Sequence, residues 1–351
     1  MAGEISESTF RKLQRVGKAT YSISLPKRWV LRQGLRPGDA LELVEEFDGS
    51  LRLRAIEARP SQLTCRINAE LCRNAEQLGR LVVSSYRVGY DLLDISCAGA
   101  PVFEILKKVD ELVQKLPGFE LVEESESKLL IQNVLDQSKY SLDDLMRRSQ
   151  LLASAIFNNL IDFITTRRYE LIPYVKSLRN KAQEIFQLLT RLTILYVKKR
   201  ETGKFLKPRS AAHIYSSAIL VNILSGLIDE LISLGEDFSK LKKKILTNPE
   251  IHRMLGELLE TALRLFDETM NAYFSLNFEQ AMHVLELPKK ALSTALEEVV
   301  RLKSVKNAEL LRFIIKTSIF LQDLVSKCHE VAQLTLDMFM ESKSLICRPE
   351  G

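Results

Sequence analysis

Basic side chains crowd the start of the chain, and their chemistry suits the binding of a polyanion. Residues 1–36 contain eight lysines and arginines but only two glutamates, and this excess of six positive charges exceeds the net charge of +5 on the whole chain. Guanidinium and ammonium groups contact nucleic-acid phosphates, and each contact releases condensed counterions. The candidate DNA-contact residues are Arg11, Lys12, Arg15, Lys18, Lys27, Arg28 and Arg32.

An ordinary solvated surface is the alternative interpretation, because runs of like charge are usually solvated. Arg15 and Lys18 flank Gly17, and the missing Cβ of this glycine would let the backbone approach a groove wall closely. Trp29 is the only tryptophan. Base stacking is one role for it, but its place on a short predicted helix favours packing. The clustering of the charges favours DNA binding.

Short elements have to position these charges. The residues around Gly17 predict two short strands or one bent ribbon, and residues 26–34 predict a short helix between a proline and a glycine. Residues 41–44 and 51–54 alternate apolar with polar on either side of Asp48-Gly49, which predicts a hairpin with a two-residue turn. A module of roughly 50 residues with so few apolar groups is marginally stable alone. We expect it to complete its core by dimerising.

Composition places the whole chain among globular proteins of more than one domain. Its 351 residues suit two or three domains, and 46% hydrophobic with 27% charged residues is an ordinary globular balance. The five cysteines form no C-x-x-C pair, so a disulfide framework or zinc ribbon is not expected. No basic-then-apolar leader and no membrane-length apolar run occurs, so we expect a cytoplasmic protein that is not integral to a membrane.

Strand and helix patterns alternate over residues 60–138, which predicts a small α/β sandwich with helices on one sheet face. From Ser141 almost to the end, apolar residues recur at i, i+3, i+4 and i+7, as packing into helical bundles requires. The predicted helices span about 141–168, 170–200, 209–246, 249–276, 278–303 and 306–342.

Two segments of this helical region occur twice. Ile228–Ser233 aligns without gaps to Leu321–Ser326, and Val175–Ala182 aligns to Val284–Ala291. The first copy is longer between these segments, and its extra residues fall on the basic stretch 198–209. This stretch is either a docking site for an anionic partner or a solvated loop. The repeat predicts two three-helix units in tandem.

The opening module resembles the SpoVT/AbrB swapped-hairpin family of DNA-binding domains. The resemblance covers about residues 11–57 and rests on Gly17-Lys18, Leu25-Pro26-Lys27, Gly38-Asp39 and Asp48-Gly49. The segment Ser24–Trp29 makes the module look like the variety of this domain that is found in archaeal proteins. The resemblance implies a homodimer whose interlocked hairpins form a shared barrel and present basic loops to double-stranded DNA.

The tandem helical repeat resembles PhoU, the phosphate-uptake regulator, over about residues 140–342. The middle region looks like the connecting domain of archaeal proteins that join these two modules. The resemblance implies a sensory or adaptor half linked to phosphate transport.

PhoU-like proteins also carry an acidic E/D-x-x-x-D pattern linked to metal clusters. The corresponding pairs here are Asp229 with Ser233 and Gln322 with Ser326, and the second acid is missing in both. A lone carboxylate per helix is a poor cage for a hard cation. We therefore expect no cofactor; the alternative is a weakly bound metal ion, for which the candidate ligands are Asp229, Glu230, Glu236 and Asp323.

Together these patterns predict a multidomain, mainly α protein. It consists of an N-terminal swapped-hairpin β module that forms a dimeric barrel, a small α/β sandwich, and two tandem PhoU-like three-helix bundles. The predicted domains are 1–59, 60–138, 139–247 and 248–346.

The predicted function is that of a dimeric, DNA-binding transcriptional regulator of phosphate uptake and homeostasis, whose helical half senses or relays phosphate status. The alternative is a PhoU-type adaptor that docks on a phosphate ABC transporter or a sensor kinase, with the N-terminal module serving mainly for dimerisation. A metal-storing bundle is a third hypothesis. The four histidines are dispersed and no nucleophile elbow, P-loop or dinucleotide fingerprint occurs, so we expect no enzyme.

Overall fold

Nine α-helices and eight short strands make up the described part of this computed structural model. The chain divides into two compact units, Met1–Ser61 and Gln62–Gly351. The prediction of a mainly α protein with a small N-terminal strand module is confirmed. The structure describes residues 10–18, 20–45, 49–55, 62–96, 102–125, 127–166, 168–198, 206, 208–241, 249–294, 296–297 and 307–341.

The first unit contains two separate β-hairpins and one short helix. Strand β1 (Gln14–Val16) pairs antiparallel with β2 (Thr20–Ser22), and β3 (Leu41–Glu45) pairs antiparallel with β4 (Leu51–Ala55). Helix α1 (Lys27–Arg32) follows the first hairpin in the chain. Each hairpin is a two-stranded sheet of its own. Within the described residues, every strand of this unit therefore has one edge without a sheet partner.

The two hairpin connections differ from one another. Gly17 joins β1 to β2 with a φ of +81°, in the left-handed region that glycine adopts without a steric penalty. The second connection is longer than the two-residue turn that the sequence predicts, because the strand pairing ends at Glu45 and Leu51. Gly49 has a φ of +75°, so a left-handed glycine also fits a longer loop, whereas Asp48 lies outside the described residues.

A four-stranded sheet covered on one face by two helices opens the second unit. The sheet order is β5-β6-β8-β7, with β5 parallel to β6 and the other neighbours antiparallel. The two helices pack on each other, and their apolar side chains share one core cluster with those of the sheet. The elements are β5 (Thr64–Asn68), α2 (Ala75–Arg87), β6 (Leu92–Ser96), α3 (Val102–Val113), β7 (Phe119–Glu124) and β8 (Lys128–Asn133).

Six long or medium helices complete the second unit and share one apolar core. The first three pack on one another, as do the last three, and contacts of α4 with α7 and of α6 with α9 join the two groups. The subdivision of this unit at residues 138 and 247 stays a prediction. The helices are α4 (Leu142–Thr166), α5 (Leu171–Val197), α6 (Ala211–Lys240), α7 (Pro249–Ser275), α8 (Phe278–Glu286) and α9 (Ala308–Glu341).

The prediction of one continuous helix over 278–303 is wrong. Helix α8 ends at Glu286, and Leu287 is extended with a ψ of 132°. Pro288 follows, and its ring disfavours helical backbone in the residue before it. Pro173 does not interrupt α5, because it lies in the first turn of that helix, where no intrahelical N–H donor is needed.

The apolar stretch of helix α6 is explained by its place in the bundle. Among the helices that the structure describes, it is the one that is long and apolar enough to cross a membrane. Half of this apolar stretch is buried inside the protein, where α6 packs against α4, α5 and α9. Because a helix that is buried on most sides is apolar all round, this composition is weak evidence for a membrane span.

A buried arginine ties the sheet layer to helix α5. The side chain of Arg191 is fully buried. Its guanidinium donates to the carbonyl oxygens of Tyr86 and Tyr90 at 2.7 and 2.8 Å, and to Asp91 Oδ1 at 2.9 Å. It also lies 5.1 Å from the ring centroid of Tyr86 and 5.8 Å from that of Phe119. These contacts fix the orientation of the sheet layer relative to α5.

Candidate nucleic-acid interface

All seven candidate DNA-contact side chains are exposed on the first unit. Two precede β1, two lie on or beside the β1–β2 turn, and three lie on α1. None of them forms an ion pair with a described residue, so their positive charge is not neutralised within the part of the unit that the structure describes. The residues are, in that order, Arg11 and Lys12, Arg15 and Lys18, and Lys27, Arg28 and Arg32.

The structure brings Arg15 and Lys18 together across the turn. Arg15 Nη2 donates to the carbonyl oxygen of Lys18 at 3.0 Å. The contact restrains the arginine beside the left-handed Gly17 and leaves most of its five N–H donors available. A restrained guanidinium with free donors suits bidentate contact with a phosphate or a guanine edge.

Helix α1 presents its three cations on a short scaffold. Arg28 and Arg32 are four residues apart, so they lie on one face of the helix. Arg32 is in the last turn, where a cation also interacts favourably with the helix dipole. Trp29 is half-buried on the same helix, which agrees with a packing role. The helix therefore exposes its three cations, while its tryptophan is partly shielded from solvent.

The first unit also exposes large apolar side chains, a feature that the sequence analysis does not identify residue by residue. No residue of this unit whose side chain the structure describes is buried. So many exposed large apolar side chains on so small a unit indicate that another molecule covers part of its surface. The exposed side chains are Phe10 (93% exposed), Leu13 (67%), Val16 (56%), Tyr21 (61%), Ile23 (58%), Leu31 (67%), Leu43 (65%) and Leu51 (70%).

The acidic candidates for a metal site do not converge. Arg179 pairs with Asp229 at 2.7 Å, and Lys176 pairs with Glu236 at 2.9 Å. The hydrogen bond from Lys176 holds the pKa of Glu236 below its ordinary value. Within the residues that the structure describes, no group of three His, Cys, Asp or Glu side chains could hold a metal ion.

The other two acidic candidates share one cation. Glu230 and Asp323 both contact Lys327. At another position of the degenerate acidic pattern, Gln322 donates to Ser293 Oγ at 3.1 Å and to Glu297 Oε1 at 2.8 Å. These positions therefore take part in contacts within the bundle.

The basic stretch 198–209 lies mostly outside the described residues. Of its cations, Lys198 donates to the carbonyl oxygen of Val88 at 2.7 Å, and Arg209 Nη2 lies 3.0 Å from Asp143 Oδ2. Both make contacts within the second unit, so neither is evidence for an anionic partner.

Asp143 belongs to a polar cluster that sequence spacing does not reveal. His213 Nε2 lies 3.3 Å from Asp143 Oδ1, and His213 Nδ1 accepts a hydrogen bond from the backbone N–H of Arg209 at 3.0 Å. His213, together with Arg209, lowers the pKa of Asp143 to about 2. Because both ring nitrogens are engaged, His213 has no free nitrogen with which to act as a general base on a substrate.

Comparison with known proteins gives a match in the first unit. Residues 14–61 match the family model described as antidote-toxin recognition MazE, bacterial antitoxin. No curated protein and no solved structure matched the chain. The matched residues include both hairpins and α1, and MazE/AbrB-type domains are typically dimeric and bind DNA. The chain thus carries an N-terminal SpoVT/AbrB-like module of the MazE type, which fits a DNA-binding or antitoxin-like regulator.

Proposed function

We propose that the protein is a dimeric transcriptional regulator that binds duplex DNA through the first unit. The observation that carries the proposal is a set of seven exposed cations, free of ion pairs with described residues, on a MazE/AbrB-type module. Exposed cations that have no carboxylate partner among the described residues can replace the counterions of a DNA backbone. The candidate contacts are the seven residues named above.

The shape of the first unit supports a dimer. Isolated two-stranded hairpins are marginally stable in water, and their free edges are ready to pair with another strand. A second copy that interlocks its hairpins with the first would pair those edges and bury the apolar side chains that one copy exposes. In this proposal the result is the swapped-hairpin barrel, with the cations of both copies on one surface.

The helical half is the regulatory part in this proposal. It is a PhoU-like pair of three-helix bundles in a cytoplasmic, archaeal-type protein, and it relays phosphate status to the DNA-binding unit. The internal repeat supports it, as does the packing of α4–α6 and of α7–α9 into two groups. A ligand or partner that prefers one arrangement of the bundles would shift the population of DNA-competent dimers. No catalytic step and no cofactor enters this proposal.

Duplex binding by the full chain tests the DNA-contact assignment. We expect the Arg15→Ala, Lys18→Ala double variant to bind duplex DNA more weakly and to lower the slope of log affinity against log salt by about 0.9 for each lost contact. Fluorescence anisotropy over a range of salt concentrations measures both quantities. The matched control is Lys115→Ala with Lys139→Ala, which removes two exposed cations from the second unit. An unchanged slope in the Arg15, Lys18 variant would contradict the assignment.

Genomic footprinting of the tagged protein, from cells grown with ample and with scarce phosphate, tests the phosphate part. We expect occupancy of a defined set of sites to change with phosphate supply. The adaptor alternative instead predicts co-purification with membrane transporter subunits or a sensor kinase and no sequence-selective footprint.

An antitoxin-like regulator is the second candidate, because the matched family model is one of toxin antidotes. Purification of the tagged chain from native cells distinguishes the two. A stoichiometric small protein that arrests growth when it is expressed alone would favour the antitoxin, and duplex DNA as the sole partner would favour the first proposal.

A further inference from the structure

One carboxylate from each group of three helices contacts the same lysine. Lys327, on α9, lies with its Nζ 2.9 Å from Glu230 Oε1 on α6, and it also donates to Asp323 on its own helix. The lysine side chain is only 16% exposed, whereas the two carboxylates are 40% and 45% exposed. The ammonium group is therefore enclosed between the two acids at the contact of α6 with α9.

The two acids are equivalent residues of the internal repeat. In the gapless alignment of Ile228–Ser233 with Leu321–Ser326, Glu230 falls opposite Asp323. The contact of α6 with α9 thus brings like charges of the two copies close together, which is unfavourable without a cation between them. The lysine has no counterpart in the first copy. When the same alignment is extended by one residue, Leu234 falls opposite Lys327.

Two further contacts join α6 and α9. A Cβ built on Gly226 would lie 3.7 Å from Lys327 Cε, so the lysine stem passes close over this glycine. A second lysine of α9, Lys316, donates to Ser233 Oγ at 2.8 Å and also to Asp237, and it holds the pKa of Asp237 below its ordinary value. Two lysines of one group of helices therefore reach carboxylates of the other.

The residues at this contact do not fit a bound divalent metal ion. Such an ion needs six or more oxygen ligands. Here the ammonium group already takes an oxygen of each carboxylate. The degenerate acidic pattern adds one further carboxylate, Asp229, and that group is already paired with Arg179. A metal at this point would also have to displace a lysine that is mostly buried.

We propose that Lys327 is a built-in counter-ion that joins the two groups of three helices through Glu230 and Asp323, in place of a bound metal ion. The assembly of the helical half is then independent of divalent cations. This inference concerns the second unit alone, so it does not depend on DNA binding by the first.

Thermal unfolding of the full chain tests the proposal with two variants. Lys327→Met leaves two like charges at the contact, and we expect the Tm to fall by about 4 °C or more. The triple variant Lys327→Met, Glu230→Gln, Asp323→Asn removes all three charges, and we expect it to recover at least about half of that loss, because no unpaired charge remains. Recovery distinguishes a counter-ion from a side chain that only fills space. A triple variant as unstable as Lys327→Met would overturn the proposal.

The wild-type chain provides the metal test. We expect its Tm to stay the same after treatment with EDTA and after addition of MgCl2 or MnCl2. A fall with EDTA, or a rise with either salt, would show that a metal ion stabilises the fold and would overturn the proposal.

Lys176→Met is the matched control, because it removes a lysine from the exposed pair with Glu236, within one group of helices. We expect its Tm to change by less than about 2 °C. A loss as large as that of Lys327→Met would also count against the proposal.

Discussion

At the scale of single residues, the two units treat their charges differently. The cations of the first unit that the sequence singles out have no carboxylate partner among the described residues. In the second unit, by contrast, the acidic candidates Asp229, Glu230, Glu236 and Asp323 each contact a lysine or arginine. Unpaired cations favour a polyanionic partner, whereas paired acids favour a structural role.

The pair of Asp143 with His213 leads to a prediction about pH. Asp143 has a lowered pKa in the folded protein, so its stabilising contribution is complete above its unfolded pKa and is lost as the pH falls through the folded value of about 2. We expect Asp143→Asn to lower the free energy of unfolding at neutral pH, and the difference from wild type to shrink as the pH falls from about 5 to about 2. Urea unfolding at a series of pH values measures this.

The control for that experiment is Asp162→Asn, which removes an exposed carboxylate from the same helix, α4. We expect it to change stability much less at neutral pH. The free energy of unfolding of Asp143→Asn differs from that of wild type by an amount that should depend on pH. If this difference is the same at about pH 3 as at about pH 7, His213 and Arg209 do not stabilise the charge of Asp143.

At the scale of elements, local signals predict most of the helices. Ser141 caps the start of α4, since its Oγ accepts the backbone N–H of Asp144 at 3.1 Å, as a serine just before a helix commonly does. Apolar periodicity predicts one helix over 278–303 and does not reveal the break after α8. Pro288 was the available signal, and its effect on the preceding residue outweighs the apolar periodicity.

The hydrogen bonds of Arg191 between α5 and the sheet layer lead to a second prediction. Arg191→Met would remove the guanidinium donor from the carbonyl oxygens of Tyr86 and Tyr90 and the charge partner from Asp91, beside the core of the sheet layer. The Tyr86 carbonyl and Asp91 would each keep one backbone N–H donor. We expect a loss of about 3–5 kcal/mol in the free energy of unfolding. We also expect faster hydrogen exchange in α2 and β6, which adjoin these carbonyls.

Arg179→Met is the matched control, because the pair of Arg179 with Asp229 is about half exposed on both sides. Its expected loss is under about 1 kcal/mol. Equal losses of stability in Arg191→Met and Arg179→Met would show that Arg191 does not hold the sheet layer on α5. Hydrogen exchange in α2 and β6 at the wild-type rate in Arg191→Met would show the same.

At the scale of the whole molecule, two features of the first unit predict a homodimer: strand edges that have no sheet partner among the described residues, and exposed apolar side chains. We expect light scattering of the full chain to give about 80 kDa, twice the 40.0 kDa of one chain. Leu43→Asp places a charge on the exposed face of β3, and we expect it to shift the protein towards monomer, because a carboxylate is costly to bury in a dimer core.

Leu151→Asp is the control for this change, since Leu151 is 63% exposed on α4 and Leu43 is 65% exposed on β3. We expect this variant to remain a dimer. A monomeric wild-type chain at micromolar concentration, or equal dissociation of the two variants, would contradict a dimer built on the first unit.

The sequence by itself determined the types and approximate bounds of most elements, the basic character of the first unit and its SpoVT/AbrB-like identity. These features depend on residues close together in the chain, where periodicity, caps and turn residues act directly. Only the tertiary structure decided which charges are paired, because Lys327 meets Glu230, and Arg191 meets Tyr86, through the packing of helices and sheet distant in sequence. The same packing distributes the four acidic candidates over three cations, because Glu230 and Asp323 share Lys327 while Asp229 and Glu236 each have a cation of their own.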